Sequence, residues 1–456
     1  MAMRDTEIVI IGAGIVGIAT AYFLTVRHGK RDIVILDPRA PMSLTSAASG
    51  ENYRNWWPHR VMTRFTDRSI DLMEEIARAS DNRLHMTRRG YALATRRSEI
   101  DGMIAQLHQG YGEDAARLIR IHEKGGAGTY KIAESADWTT APDGVDVVRD
   151  SDLLRRAFPS FDPEVSTVIH IRRAGDISGQ QMGQYMLDHI RGAGGRVVQA
   201  RLASVTRKDR FDLEVVSSDG TARFRADMVV NAAGPYVGEV AAMLGESLPV
   251  ETLAQQKIAF EDRDGAISRR MPFAIDLDGQ TIAWTEEECA LLAENPATAW
   301  LTRPMPGGIH CRPDGGDGGR WIKLGWAYNR TPGPFQPEPM LDPQFPDIVL
   351  RGASRLNAAL KTYLGRLPRQ FTHYGGSYTM TKENWPLIGP LATPGAFVVG
   401  ALSGYGTMSA CAAGELAAAH MCGGALPDYA GVLGLARHRD TALMAALTAS
   451  GDKGVL

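Results

Sequence analysis

The chain has little cysteine: Cys289, Cys311, Cys411 and Cys422 are scattered along 456 residues, with no C-x-x-C pair and no metal-ligand spacing. That pattern excludes a disulfide scaffold and points to reduced thiols in a cytoplasmic protein. Long apolar runs are missing too. None reaches the roughly 18 residues of a membrane span, and the stretch 396–419, rich in small and apolar residues, is broken by glycines and Glu415. It reads as a buried strand–loop–helix. The opening residues lack the n-region and cleavage site of a signal peptide. Charge of one sign is not in excess either: the formal net charge is −2, which gives no field for a polyanion such as nucleic acid. What remains is ordinary globular composition, 44% hydrophobic and 22% charged. At this length it predicts two domains or one large composite fold.

Residues 8–11 form a continuous β-branched run of the kind buried on both faces of a sheet. Gly12-Ala13-Gly14-Ile15-Val16-Gly17 follows, then an Ala- and Leu-rich helical stretch, then a second apolar strand over 31–36 that ends at Asp37. The G-x-G-x-x-G spacing allows a tight turn, a close backbone approach to a pyrophosphate, and close helix–strand packing. Phosphates would sit over the positive end of the helix. Asp37, about 20 residues past the last glycine, can accept hydrogen bonds from ribose hydroxyls, and an acid there argues against a 2′-phosphate. The motif by itself does not choose between FAD and NAD. Further helices are expected over 63–79, near 98–107 and over 180–190, and strands over 90–94, 196–199, 211–216 and 228–231.

Met228-Val229-Val230-Asn231-Ala232-Ala233-Gly234-Pro235 reads as a strand delivering a small-residue turn under a nucleotide, and residues 397–407 read as a second such element. With the N-terminal motif, these segments resemble the D-amino-acid oxidase / sarcosine oxidase family of FAD-dependent oxidoreductases. The resemblance covers most of the chain and is poor over 100–145 and 280–310. It implies an α/β (α+β overall) architecture, a Rossmann-like FAD-binding domain interleaved with a mixed-sheet substrate domain. The FAD-binding parts are expected at 1–60, 172–245 and 371–440, and the substrate domain at 61–171 and 246–370.

The resemblance also implies residue roles. Gly12, Gly14, Ile15, Val16, Gly17 and Asp37 would hold the ADP half of FAD, with Ala233 and Gly234 beside it and the backbone of Val205 at the adenine. Ser46, Ala47, Ala48, Ser49 and Gly50 resemble the segment beneath the flavin. Gly404, Tyr405, Gly406 and Thr407 would open a helix aimed at its pyrimidine edge, where a helix N-terminus stabilises the negative charge of reduced flavin. Gly376 stands where covalent members carry a cysteine, and Ala47 where another branch carries a histidine, so the FAD is expected to be non-covalent.

Lys323, between Trp321 and Trp326, resembles a lysine that lies over the flavin and promotes reaction with O2. The alternative is a solvated lysine on an edge strand. Arg54 follows the flavin segment and suits a carboxylate bidentately, or else serves as a structural ion-pair partner. Tyr53, Trp56 or Trp57 would wall a substrate pocket or simply pack. Tyr378, Tyr405 and Lys382 are further pocket candidates, whereas His59, His310 and His373 are expected to be structural. A lysine that binds the substrate carboxylate in sarcosine oxidases is replaced by Met408, which favours a bulkier or differently charged substrate. The implied activity is oxidation of the C–N bond of an amine or amino acid, secondary or N-substituted, to an imine, with O2 as acceptor and H2O2 as product. Two alternatives remain: a D-amino-acid or 2-hydroxy-acid dehydrogenase with another acceptor, and a flavin-binding subunit without turnover.

Overall fold

A computed structural model describes residues 3–125, 129–133 and 137–449. The β-branched run lies in strand Met3–Ile11, at the middle of an eight-stranded sheet. It pairs in parallel with Ile33–Asp37 on one side and Gly220–Asn231 on the other. Arg196–Gln199 extends the sheet past Ile33–Asp37, while Phe211–Ser217 and Arg201–Arg207 add an antiparallel wing. Ala396–Gly400 joins the end of Gly220–Asn231, with Leu387–Pro390 beside it. Successive side chains of a strand face opposite ways. Ile8 and Ile10 therefore enter a core with the helices Ile15–His28, Gly179–Gly192 and Gly406–Cys422, whereas Val9 and Ile11 pack with Phe211, Phe224 and Val205 on the other face.

The second sheet has nine strands, in the order Phe371–Met380, Glu251–Glu261, Trp321–Gly325, Ile309–Asp314, Phe273–Asp276, Tyr91–Thr95, Thr167–Ile171, Val145–Val148 and Ile119–His122. Along its central strands Ile258, Phe260, Ile322, Leu324 and Cys311 face a core with helix Phe345–Leu356. The intervening positions present Lys257, Ala259, Lys323, Gly325, His310 and Arg312 on the opposite face, since cross-strand partners share a face. That face looks toward residues 48–51.

The two sheets are interleaved along the chain. Phe371–Met380 pairs with Glu251–Glu261 in the nine-stranded sheet, and helix Arg60–Ala79 packs on Gly406–Cys422 and the helical core of the first sheet. Apolar periodicity fixes an element's type and its buried face, not the partner that covers it. Among the described residues no helix is long and apolar enough to cross a membrane.

Candidate active site

The nucleotide turn, the segment 46–50 and the start of helix Gly406–Cys422 enclose a cavity of about 1030 Å³. Gly12 has φ of 112°, a conformation open to glycine, and a side chain there would strike the Ala232 carbonyl at 2.2 Å. Gly12, Gly14, Ile15 and Val16 line the cavity at the positive end of helix Ile15–His28, with Gly17 packed behind them against Gly12. Asp37 lines it too: its Oδ2 accepts from the Ala13 N–H at 2.8 Å and its Oδ1 from the Arg39 N–H at 2.9 Å. Ala233 and Gly234 complete that end.

At the far end Gly404, Gly406 and Thr407 bring a second helix N-terminus to the same cavity. The small-residue segment bridges the two helix starts. Ser46 Oγ accepts from the Ile15 N–H at 3.0 Å, and the Ser49 and Thr407 hydroxyls are hydrogen-bonded at 2.8 Å. Ala48, Ser49, Gly50 and Gly376 line the space between.

Two further cavities flank this one. The first, of about 660 Å³, opens onto it through Ser49, Gly50, Lys257, Tyr378, Ser403 and Gly404. Arg54 lies in it, 4% exposed, its Nε donating to the Trp56 carbonyl at 3.0 Å and its guanidinium 4.7 Å from the Trp57 ring. Trp57 packs edge-on against Tyr405 with centroids 4.9 Å apart. The Tyr405 hydroxyl donates to the Asn384 carbonyl at 2.9 Å, and burial pushes its pKa up. Met408, 7% exposed, lines this cavity, as do Phe273 and Ile275.

The second flanking cavity, of about 1360 Å³, borders the 1030 Å³ cavity through Ala48, Ser49, Gly376 and Ser377 and is also lined by Ala47. Lys323 reaches it beside Trp321, Phe335 and Pro339. Its ammonium donates to Glu51 Oε2 at 3.0 Å and lies 3.3 Å from Asp314 Oδ1. Burial raises the pKa of Asp314, but Arg312 and Lys323 outweigh it and hold that carboxyl below its usual range.

Several expected residues lie elsewhere. Tyr53 alternates with Asn52 and Arg54 on the strand Asn52–Arg54, so its ring points away from the cavity and its hydroxyl donates to the Thr87 carbonyl. Trp56 packs beneath Tyr91 and Leu107. The Val205 side chain sits in the core with Phe211, and the residue does not line the cavity. Lys382 is exposed and lines none of the three cavities. His59 caps helix Arg60–Ala79, accepting from the Val61 N–H, and His373 bonds to Gln256. Lys257, Asn52 and Tyr91 line the Arg54 cavity without having been singled out in the sequence, and so does His310, expected to be structural. Asn52 shares a face with Arg54 two residues on, whereas the signal for Lys257, Tyr91 and His310 is the shared face of neighbouring strands, which exists only once the pairing is known.

The model of the FAD dependent oxidoreductase (DAO) family matches residues 7–420. The chain belongs to that family. No curated protein matches it in sequence. Among solved structures it is similar to L-proline dehydrogenase from P. horikoshii, at 18% identity over 96% of this chain and 99% of that one, with a TM-score of 0.70. Glycine oxidase from Geobacillus kaustophilus gives 15% identity, 96% and 100% coverage and a TM-score of 0.70. Iminodiacetate oxidase from Chelativorans sp. BNC1 gives 18% identity, 92% and 96% coverage and a TM-score of 0.65. These likenesses describe the fold. The cofactor of the family suits these features: a glycine turn with no room for side chains, an acid for ribose, and two helix N-termini facing one cavity.

Proposed function

We propose that this oxidoreductase removes a hydride from the carbon next to the nitrogen of an amine or amino acid, preferentially a secondary or N-substituted amino acid. The observation that carries this is Arg54, a buried guanidinium in a cavity that opens directly onto the cofactor cavity. A planar guanidinium fork suits a carboxylate. The structural relatives named above are, by their names, enzymes of amino acids.

When bound, FAD supplies the hydride acceptor. Gly12, Gly14, Ile15, Val16 and Asp37 would hold its nucleotide half, and Ala48, Ser49, Gly50 and the helix start at Gly404–Thr407 its flavin half. Gly376 offers no nucleophile for a covalent link, so the cofactor is held non-covalently and acid precipitation frees it into the supernatant. Arg54 binds the substrate carboxylate. Trp57 and Tyr405 close the pocket around it and exclude water, and Met408, Phe273 and Ile275 take an apolar substituent. The nitrogen lone pair forms the C=N bond as the α-hydrogen leaves, and water hydrolyses the released imine. Anaerobic mixing with N-methyl amino acids, D-amino acids and larger secondary amines tests this reading: bleaching of the flavin by one of these classes is expected.

O2 is the acceptor in the primary reading, with Lys323 favouring the negative charge that develops on oxygen. A second reading, a dehydrogenase with a different acceptor, is favoured by the ion pairs of Lys323 with Glu51 and Asp314. They compensate the charge that oxygen activation requires. Stopped-flow reoxidation by air separates the two. A fast phase slowed about tenfold or more in Lys323→Met, the loss of one oriented charge, supports oxygen; slow reoxidation, unchanged in the variant, supports another acceptor.

A further inference from the structure

His310 stands on strand Ile309–Asp314, directly opposite Gly325, and lies across the space a side chain at Gly325 would occupy. It lines the Arg54 cavity. Its Nδ1 faces the Gly308 carbonyl at 3.1 Å. A carbonyl only accepts, so that nitrogen carries the proton and Nε2 keeps its lone pair. The Phe273 ring packs on the imidazole, with centroids 5.1 Å apart.

The remaining polar groups of the cavity are mostly donors or already engaged. Arg54 and Lys257 have no acceptor to give. The Tyr405 hydroxyl is spent on the Asn384 carbonyl, and Glu51 accepts from Lys323 and from the Gly179 N–H. Beside the Tyr91 and Tyr378 hydroxyls, which can donate or accept, the cavity offers His310 Nε2 and Asn52 Oδ1 as acceptors, and the latter is buried with no hydrogen-bond partner among the described residues.

We propose that His310 is a catalytic residue that receives the substrate nitrogen: its Nε2 accepts a hydrogen bond from the amine N–H while Arg54 holds the acid group, with Asn52 Oδ1 as the second acceptor. The inference rests on the oxidation reading above and deepens it. The charged and titratable groups around the ring are Lys257 on the adjacent sheet face, Arg312 on its own strand, and Arg54, Glu51, Tyr91, Tyr378 and Tyr405 across the cavity. Burial first, then Lys257 and Arg312, push the His310 pKa down to about 4, against the bond to Gly308. A ring so reluctant to be protonated stays an acceptor, and the proton of an incoming ammonium is released to bulk water as the neutral amine binds. Two cations lining the cavity, Arg54 and Lys257, disfavour a bound ammonium. The substrate is thereby held as the neutral amine, the form whose lone pair can make the C=N bond.

The test uses the FAD-loaded enzyme with an amine that bleaches the wild type, and propionate as a carboxylate without nitrogen, titrated by its perturbation of the flavin spectrum. His310→Leu is expected to raise KM for the amine about tenfold or more, the loss of one hydrogen bond to a buried partner. It should move the acid limb of the kcat profile, which reports the bound amine, to higher pH and leave the propionate Kd within about twofold. His310→Gln, which keeps an acceptor, is expected to recover most of the loss. Unchanged amine kinetics and pH limb in His310→Leu overturn the proposal, as do equal losses for amine and propionate in both variants. If no amine bleaches the wild type, the oxidation reading itself fails and takes this inference with it.

Discussion

Arg54 shows how one side chain is placed by its neighbours on both sides. Its Nε is tied to the Trp56 carbonyl and its plane lies against Trp57, so its rotamer is set before a ligand arrives. Binding then costs little conformational entropy. Arg54→Met is expected to raise KM for an amino-acid substrate about 10- to 150-fold, the loss of charge-assisted hydrogen bonds of about 1.5–3 kcal/mol. Arg54→Lys does not restore it, because an ammonium cannot form the fork or stack flat on Trp57. Steady-state kinetics of the two variants check this. At this scale the sequence was informative about Arg54 and the glycines, whose chemistry is local. It was silent about Lys257 and gave His310 only a structural role, because their place in the cavity comes from strands far apart in the chain.

The elements that matter most are the helices Ile15–His28 and Gly406–Cys422, whose N-termini face the cofactor cavity. They approach so closely that a side chain on Gly414 would meet the Ala19 carbonyl carbon at 2.6 Å. Their small residues, Ala19, Ala21, Ala410 and Ala413, are buried with it. Gly414→Val is expected to destabilise the fold by about 1–3 kcal/mol through overpacking and to spread the two helix starts. Thermal unfolding of the FAD-loaded variant is expected at lower temperature, with FAD lost on gel filtration. The first helix was legible because strand, turn and helix follow one another within a short stretch. The second was legible as an apolar, small-residue helix, but its close crossing with the first was not, since a run of alanines shows no polar face to orient it.

Across the whole molecule, buried ionic groups tie the nine-stranded sheet together and to the segment 46–50. Arg312, 2% exposed, donates to the Gly50 carbonyl at 2.9 Å and pairs with Asp314 at 2.8 Å. Deeper in the nine-stranded sheet His170 is fully buried, with Nε2 at the Arg89 carbonyl and Nδ1 near the Tyr130 hydroxyl and Arg172. Burial, then Arg172, pushes its pKa down to about 3. The unfolded chain, with histidine near 6.5, therefore binds a proton that the folded one refuses. Its stabilising contribution is whole above about pH 6.5 and is lost as pH falls toward 3. His170→Gln is expected to flatten the fall in denaturant midpoint between pH 6.5 and 4 relative to the wild type; an unchanged slope would assign that fall to other groups. The doubly buried strands of the first sheet could be read from residues 8–11, whereas the nine-stranded sheet, built from segments spread over 91–380, has its order set by long-range pairing.

All of these scales meet in one claim, that the Arg54 cavity presents an amino acid to the cofactor. Anaerobic reduction of the bound flavin by the amine panel, run side by side on wild type and Arg54→Met, tests it most directly. The account predicts that at least one N-substituted or D-amino acid bleaches the wild-type flavin, and that the variant needs a far higher concentration of it. A flavin that dithionite reduces but no amine in the panel does, or one bleached equally well in both proteins, contradicts it.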